Sequence, residues 1–349
     1  MTESKSGNKS LSLGLLVVGA AMMGFALVLD VVGIRVGYRG PLLIAGALAV
    51  LAGLYFYPTI EHHRVIINFI FLFPLLFTFT VTVIIPMALG IGYSFTDWNG
   101  VKVNNYVGLA NYTSMFKDPA FIWSIVLTFL FVIVNMILVN VIGFLLALLC
   151  SSKIRGTDFY RASYFLPNLI GGIVLGYIWS MIFDGILRTY GKTLVTEPVW
   201  GFWGLIVVIA WQQIGYMMII YIAGLQAVPE DMIEAAKIDG ASKWQTLWRV
   251  TIPNVMPSIT ICTFLTLTNG FKLFDQNLAL TGGQPFIINP DGSAIKQTEM
   301  IALNIYNTFY TGSTSARGTA QAKAVLFFIL VAALGLIQLS ATRKKEVQQ

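Results

Sequence analysis

Two clusters of polar side chains interrupt otherwise apolar runs of this chain. Trp211, Gln212, Gln213 and Tyr216 break one run, and Thr266, Thr268 and Asn269 break the next. Carboxamides and hydroxyls both donate and accept hydrogen bonds, and an aromatic face covers the C–H side of a ring. Together they supply what recognition of a sugar needs. The same residue types also hydrogen-bond one membrane helix to another, so both readings stay open at each position. Lys272 and Asp275 are three apart and share a face if one helix runs through both. Charges at membrane depth face a bundle interior or a water-filled cavity. The pair reads as mutually satisfied near the outer interface, with a substrate path or proton relay as the alternative.

Other groups carry less. Gly185-Ile186-Leu187-Arg188-Thr189-Tyr190-Gly191-Lys192-Thr193 ends as a phosphate-binding loop does, but its first glycine is one residue too far away. It also follows an apolar run, not a soluble strand. The chain is therefore expected to hydrolyse nothing itself. His62 and His63 are adjacent and point about 100° apart on a helix, a poor geometry for shared metal ligation. Cys150 and Cys262 make neither a disulfide framework nor a metal cluster. No catalytic residue, metal or cofactor is expected in this chain.

The elements that must position these residues lie in a membrane. Of the 349 residues 56% are hydrophobic and only 11% charged, where soluble domains carry about 25% charged residues. Since a span needs about 20 apolar residues, the runs read as eight spans: about 12–33, 41–60, 69–95, 121–150, 163–183, 202–224, 257–280 and 322–340. The expected fold is an all-α polytopic membrane protein with both termini on one side. The first apolar run is too long for a signal-peptide core and lacks a cleavage site, so it is expected to be retained. The net charge of +6 fits basic loops, with no stripe suited to nucleic acid. Outer connections at about 96–120 and 281–321 are the longest. The second holds Gly282-Gly283-Gln284-Pro285 and Asn289-Pro290-Asp291-Gly292, both strong turn formers.

Between the sixth and seventh spans lies the polar stretch Glu230 to Pro253. Pro229 can open a helix whose first turn is acidic, and Gly240 can close it. Ser242 can cap a second helix with Trp244, Leu247 and Trp248 on one face, which Pro253 and Pro257 would end. The result is a compact knob whose small face is Ala235, Ala236 and Gly240. Basic residues gather on its side of the membrane, among them Lys153, Arg155, Arg161, Lys237, Lys243 and Arg249. This bias places the knob in the cytoplasm.

The stretch resembles the EAA loop of permease subunits in binding-protein-dependent ABC importers. The family pattern is Glu-Ala-Ala, three residues, Gly, nine residues, Ile-x-Leu-Pro. Glu234, Ala235, Ala236, Gly240 and Pro253 stand at those spacings, with Val250 and Ile252 at the aliphatic positions. The likeness covers about residues 105–340. Gly108-Leu109-Ala110-Asn111-Tyr112 with Phe116 and Asp118, then Arg161 and Phe165-Leu166-Pro167, resemble the carbohydrate-uptake branch of the larger maltose-permease type. So do Trp211, Gly215, Ala223-Gly224-Leu225 and Pro229, then Phe274-Asp275, Leu280-Thr281-Gly282-Gly283 and Pro285. Thr298-Glu299 and Tyr306 are similar to the segment before that branch's last span. The chain departs from this type by lacking a large outer domain between spans three and four, and Gln284 replaces a glycine.

The resemblance implies a six-helix type I ABC importer permease core in residues 67–349, with ATPase-coupling loop 225–257. Residues 1–66 form a tail and two accessory helices. It implies coupling through Glu234, Ala235, Ala236, Asp239, Gly240 and Pro253; the polar residues Trp211, Gln212, Gln213, Tyr216, Thr266 and Asn269 would then give a candidate substrate path. The implied partners are a second permease subunit, two ATPase subunits that bind ATP and Mg, an extracytoplasmic sugar-binding protein and membrane lipid. The implied location is the bacterial cytoplasmic (inner) membrane with cytoplasmic termini, and the cargo an oligosaccharide or disaccharide. The alternative is an ion-coupled secondary sugar transporter using Lys272 and Asp275.

Overall fold

The computed structural model describes residues 9–31, 37–56, 64–152, 156–290 and 292–343. His62, His63 and Asp291 fall outside them. Among the described residues, seven helices are long and apolar enough to cross a membrane, and Arg39–Leu54 is a shorter apolar one. The all-α polytopic architecture is thus as expected. In chain order the helices are α1 (Lys9–Val31), α2 (Arg39–Phe56), α3 (Arg64–Phe79), α4 (Ile85–Tyr93), α5 (Ala110–Lys117), α6 (Pro119–Ser151), α7 (Thr157–Phe165) and α8 (Gly172–Leu187). There follow α9 (Pro198–Gln226), α10 (Glu230–Ile238), α11 (Lys243–Thr246), α12 (Ile252–Phe271), α13 (Asp275–Leu280), α14 (Ile301–Tyr310) and α15 (Arg317–Arg343). A hairpin of β1 (Phe286–Ile288) and β2 (Ala294–Lys296) separates α13 from α14.

Contacts divide the chain into Met1–Met87 and Ala88–Gln349. In the first unit, α1 and α2 form a tight helical pair. A Cβ added at Gly19 would come within 2.7 Å of the Gly46 carbonyl oxygen. Ser12 Oγ donates to the Gly53 carbonyl at 2.6 Å. Without a hydrophobic drive between helices in lipid, close backbone approach and such bonds supply the association.

In the second unit, α6, α9 and α12 form the core. One apolar cluster joins Phe131 and Val132, Leu205 and Ile209, and Phe271. Another joins Val139 and Ala147, Met217 and Tyr221, and Val255 and Cys262. A polar clasp crosses the second cluster. Tyr221 Oη donates to Asn140 Oδ1 at 2.6 Å, and Asn140 Nδ2 donates to Thr266 Oγ1 at 2.9 Å. Outside the spans, Asn111 Nδ2 donates to the carbonyls of Ser94 and Thr96, fixing the start of the loop after α4. In that loop the Asn105 backbone N–H beside Asp97 holds its carboxyl below the usual range.

Two expected spans are reshaped. The fifth does not run through 163–183: α7 ends at Phe165, a 3₁₀ turn covers Leu166–Leu169, and the backbone is extended at Gly171 before α8 begins. Gln212 Nε2 donates to the Ile170 carbonyl at 3.1 Å, satisfying a group released by the break. The seventh does not start at 257. Helix runs from Lys243 through a π turn at Leu247–Thr251 into α12, so Pro253 and Pro257 do not end it. Pro253 follows the widened π turn, where the hydrogen-bond ladder already departs from α spacing.

α7 crosses α9 at Gly215, where an added Cβ would meet the Tyr164 carbonyl oxygen. Because the obstacle is backbone, Gly215→Val is expected to cost about 1–3 kcal/mol by overpacking. Thermal unfolding of the detergent-solubilised protein should show a lower midpoint for this variant and none for Gly14→Ala, whose new Cβ meets nothing within 4 Å.

Candidate functional site

The knob is built by its own caps. Glu230 and Asp231 occupy the first turn of α10 after Pro229, where negative charge is favoured. At its end the Gly240 N–H bonds the Lys237 carbonyl at 3.1 Å and the Ala241 N–H bonds the Ala236 carbonyl at 2.9 Å. This is a Schellman closure, which requires the left-handed φ of +77° that Gly240 adopts. Ser242 and Gln245 then form a reciprocal capping box: Gln245 N donates to Ser242 Oγ at 3.3 Å, and Ser242 N to Gln245 Oε1 at 2.8 Å. Glu234, Ala235, Asp239 and Gly240 are exposed, and Ala236 and Pro253 are half-buried. No side chain stands within 4 Å of a Cβ built at Gly240. Ile238, Trp244 and Trp248 are exposed beside this small-residue face, the two indoles 5.5 Å apart.

The second candidate is a cavity of about 460 Å³ where α12 stops. Gln212, Gln213 and Tyr216 of α9 and Asn269 of α12 line it. Asn168, Lys272, Phe274, Asp275 and Gln276 complete its polar and aromatic wall. Gln276 Nε2 donates to Gln212 Oε1 at 2.8 Å, so Gln212 is held from both sides and Gln276 is aimed by it. Gln213 Oε1 is buried and has no partner among the described residues. The Tyr216 ring lies 6.5 Å from that of Phe165.

Lys272 and Asp275 are not a mutually satisfied pair. The helix ends at Phe271, Lys272 is its C-cap, and α13 starts afresh at Asp275, so three-residue spacing no longer places them one above the other. Both are exposed toward the cavity, and neither side chain makes a hydrogen bond or ion pair among the described residues.

Two expected path residues stand elsewhere. Trp211 lies outside the cavity with its ring 5.3 Å from that of Trp179. Thr266 is fully buried, accepting from Asn140 and donating to the Cys262 carbonyl at 2.8 Å. Asn168 and Gln276 went unnoticed in the sequence because each seemed to continue a span. The signals were Pro167 before the one and the charged Asp275 before the other. The stretch Gly185 to Thr193 ends α8 and passes through a 3₁₀ turn at Arg188–Tyr190, and Lys192 Nζ lies 3.8 Å from Glu197.

Comparison with known proteins bears on both regions. The family of the binding-protein-dependent transport system inner membrane component matches residues 139–344. A protein of Thermoanaerobacterium thermosulfurigenes, named as a probable starch degradation products transport system permease (AmyD), is 42% identical over 288 residues, 80% of this chain and 94% of that one. The multiple sugar-binding transport system permease MsmF of Streptococcus mutans is 32% identical, covering 74% of this chain and 89% of its own. Among solved structures, a bacterial ABC transporter involved in import of the acidic polysaccharide alginate has a chain matching with a TM-score of 0.66 at 19% identity, over 80% of this chain and 96% of that one. That likeness is one of fold.

The two neighbouring carboxamides should separate on substitution. Gln212→Ala removes the partner of Gln276 and of the Ile170 carbonyl and should cost about 1–3 kcal/mol. Gln213→Ala removes a group with no protein partner and should leave the unfolding midpoint nearly unchanged. Thermal unfolding of the two variants side by side checks the contrast.

Proposed function

Because the chain belongs to the family of binding-protein-dependent transport system inner membrane components, we propose that it is the permease subunit of an ATP-driven importer of a neutral oligosaccharide or disaccharide. The observation that carries this reading is the cavity at the α12 break, where carboxamides and a phenol face open space within a membrane bundle. Such groups match sugar hydroxyls one for one. One lysine and one aspartate cancel in net charge, whereas a phosphate or uronate cargo would call for a cationic fork. The sugar-transport names of the relatives support the same class.

The wall is incomplete by itself. Lys272 and Asp275 are exposed, and charges at membrane depth do not face lipid. A second permease covers this side in the proposed assembly, and the path runs between the two. The exposed knob is the seat of an ATPase subunit: Ala235, Ala236 and Gly240 permit close approach, Glu234 and Asp239 offer charge, and Pro253 joins the knob to α12. ATP and Mg belong to that partner. The knob and both termini face the cytoplasm, and residues 1–66 are accessory to the permease domain at 67–349.

Transport then follows from a two-state equilibrium. Closure of an ATPase dimer moves the knob, and the unbroken helical run from Lys243 to Phe271 carries the motion to the cavity. Moving such an equilibrium from 1:99 to 99:1 takes about 5.5 kcal/mol of differential affinity, which two ATP sites supply and a sugar alone does not. The free Lys272 and Asp275 favour one rival: ion-coupled uptake without ATP.

Gly240→Asp is expected to leave the chain inserted with its second permease, and to lose the ATPase on purification in mild detergent. Left-handed backbone costs a side chain about 1–2 kcal/mol, and the added carboxylate occupies the small face. Full sugar uptake by this variant refutes the coupling role. Gln213→Leu should keep the ATPase bound and slow uptake about 10-fold, measured in proteoliposomes. Uptake driven by an ion gradient without ATP, and abolished in Asp275→Asn, would establish the rival.

A further inference from the structure

One wall of the cavity continues beyond it as a row of aromatic rings. Phe274 lines the cavity, and its ring centre lies 5.0 Å from that of Tyr306. Tyr306 lies 4.6 Å from Tyr310, and Tyr310 lies 4.8 Å from Phe309. Trp98, 5.9 Å from Phe309, and Tyr93, 4.5 Å from Trp98, carry the row to the loop after α4. Phe274 is half-buried, whereas Tyr306 and Tyr310 are 37% and 65% exposed. Neither phenol has a hydrogen-bond partner among the described residues.

Tyr306 and Tyr310 are four apart and share one face of α14. The opposite face is fixed. Lys323, 2% exposed, donates to Asn304 Oδ1 and Thr308 Oγ1 at 2.9 Å and to Asp118 Oδ2 at 2.8 Å. A buried ammonium needs such a full set of partners. Glu299 accepts from Asn304 Nδ2 at 2.8 Å and from Asn307 Nδ2. At the far end of the row, Arg317 Cζ stands 5.4 Å from the Phe309 ring centre, and Nη1 donates to the Asn99 carbonyl at 2.6 Å. The two exposed tyrosines are therefore held out by a support that satisfies its own polar groups.

Size and chemistry together indicate what they meet. The cavity of about 460 Å³ falls toward the small end of the ~300–1,000 Å³ range of ligand pockets. It has room for a short saccharide, and each further ring of a longer one must lie outside. An aromatic face covers the C–H side of a sugar ring, and a free phenol meets its hydroxyls. Tyr306 and Tyr310 offer both, beginning where Phe274 leaves the cavity. Tyrosines also anchor helices at a membrane surface, but a lipid belt has no reason to run into a polar cavity wall.

We propose that Tyr306 and Tyr310, with Phe274, form an outer subsite for the additional rings of an oligosaccharide whose end occupies the cavity. The proposal rests on the saccharide-import reading above and deepens it. The row selects for chain length, favouring an oligosaccharide over a disaccharide. It does so by ring stacking and uncharged hydroxyls, so it adds no preference for a charged cargo.

The test uses the whole complex in proteoliposomes, supplied with ATP and with binding protein saturated by radiolabelled maltose or maltopentaose. These probes are α-linked glucose chains, chosen because a 42% identical relative is named for starch degradation products. Tyr306→Ala and Tyr310→Ala should each lower maltopentaose uptake several-fold and leave maltose uptake unchanged. Benzoylphenylalanine placed at Tyr310 should crosslink to maltopentaose under light. Equal loss of both sugars in the alanine variants, or loss of neither, overturns the subsite. A crosslink only to lipid or only to the second permease also overturns it, assigning the row to a membrane belt or to that interface. Wild type that carries maltose but not maltopentaose sinks the subsite alone and leaves the import reading standing. Wild type that carries neither removes the saccharide reading, and the subsite with it.

Discussion

Hydrocarbon offers no hydrogen bonds, so a membrane chain can leave its helix only where protein or a water-filled cavity satisfies the released backbone. The chain breaks its helices twice in the same neighbourhood, at Ile170–Gly171 before α8 and at Lys272–Phe274 after α12. Both breaks meet Gln212, which donates to the Ile170 carbonyl and accepts from Gln276. One buried carboxamide on an unbroken helix thus holds two interrupted ones in register. The cavity exists because those interruptions coincide.

The rest of the second unit keeps α9 in place. Its apolar faces pack on α6 and α12 in two layers, and the Tyr221–Asn140–Thr266 clasp links the same three helices within the second layer. Hydrogen bonds of this kind are worth about 0.6–2 kcal/mol each in a membrane, enough to choose a register without freezing the bundle. The π turn at Leu247–Thr251 has a related consequence. It stands just before Pro253 in a continuous helical run from Lys243 to Phe271, so the knob and the cavity are the two ends of one rod. Rigidity between them is what a coupling element requires.

Among the described residues, buried charge gathers where α14, α15 and the start of α6 meet. Lys323 with Asp118, and Glu299 with Asn304 and Asn307, replace the lost hydration by direct donors and acceptors. Within the cavity the opposite holds, and Lys272, Asp275 and Gln213 Oε1 have no partners among the described residues.

Local rules made much of this legible. Apolar runs, Gly240, Ser242 and the acidic turn after Pro229 each act over a few residues, so the membrane class, the unbroken spans and both caps of the knob follow from the sequence by itself. Gln212, Gln213, Tyr216 and Asn269 were visible for the same reason, as polar residues in runs where polarity is costly. What neighbours do could not be read there. Thr266 and Asn269 are three apart and of similar chemistry, yet Asn140 on a helix distant in sequence makes Thr266 part of the clasp, while Asn269 lines the cavity. Lys272 and Asp275 promised a pair, and the end of α12 between them separated the two. Chemical type and spacing are properties of a segment; which polar atom is already satisfied is a property of the packed helices around it, and only the tertiary structure decides that.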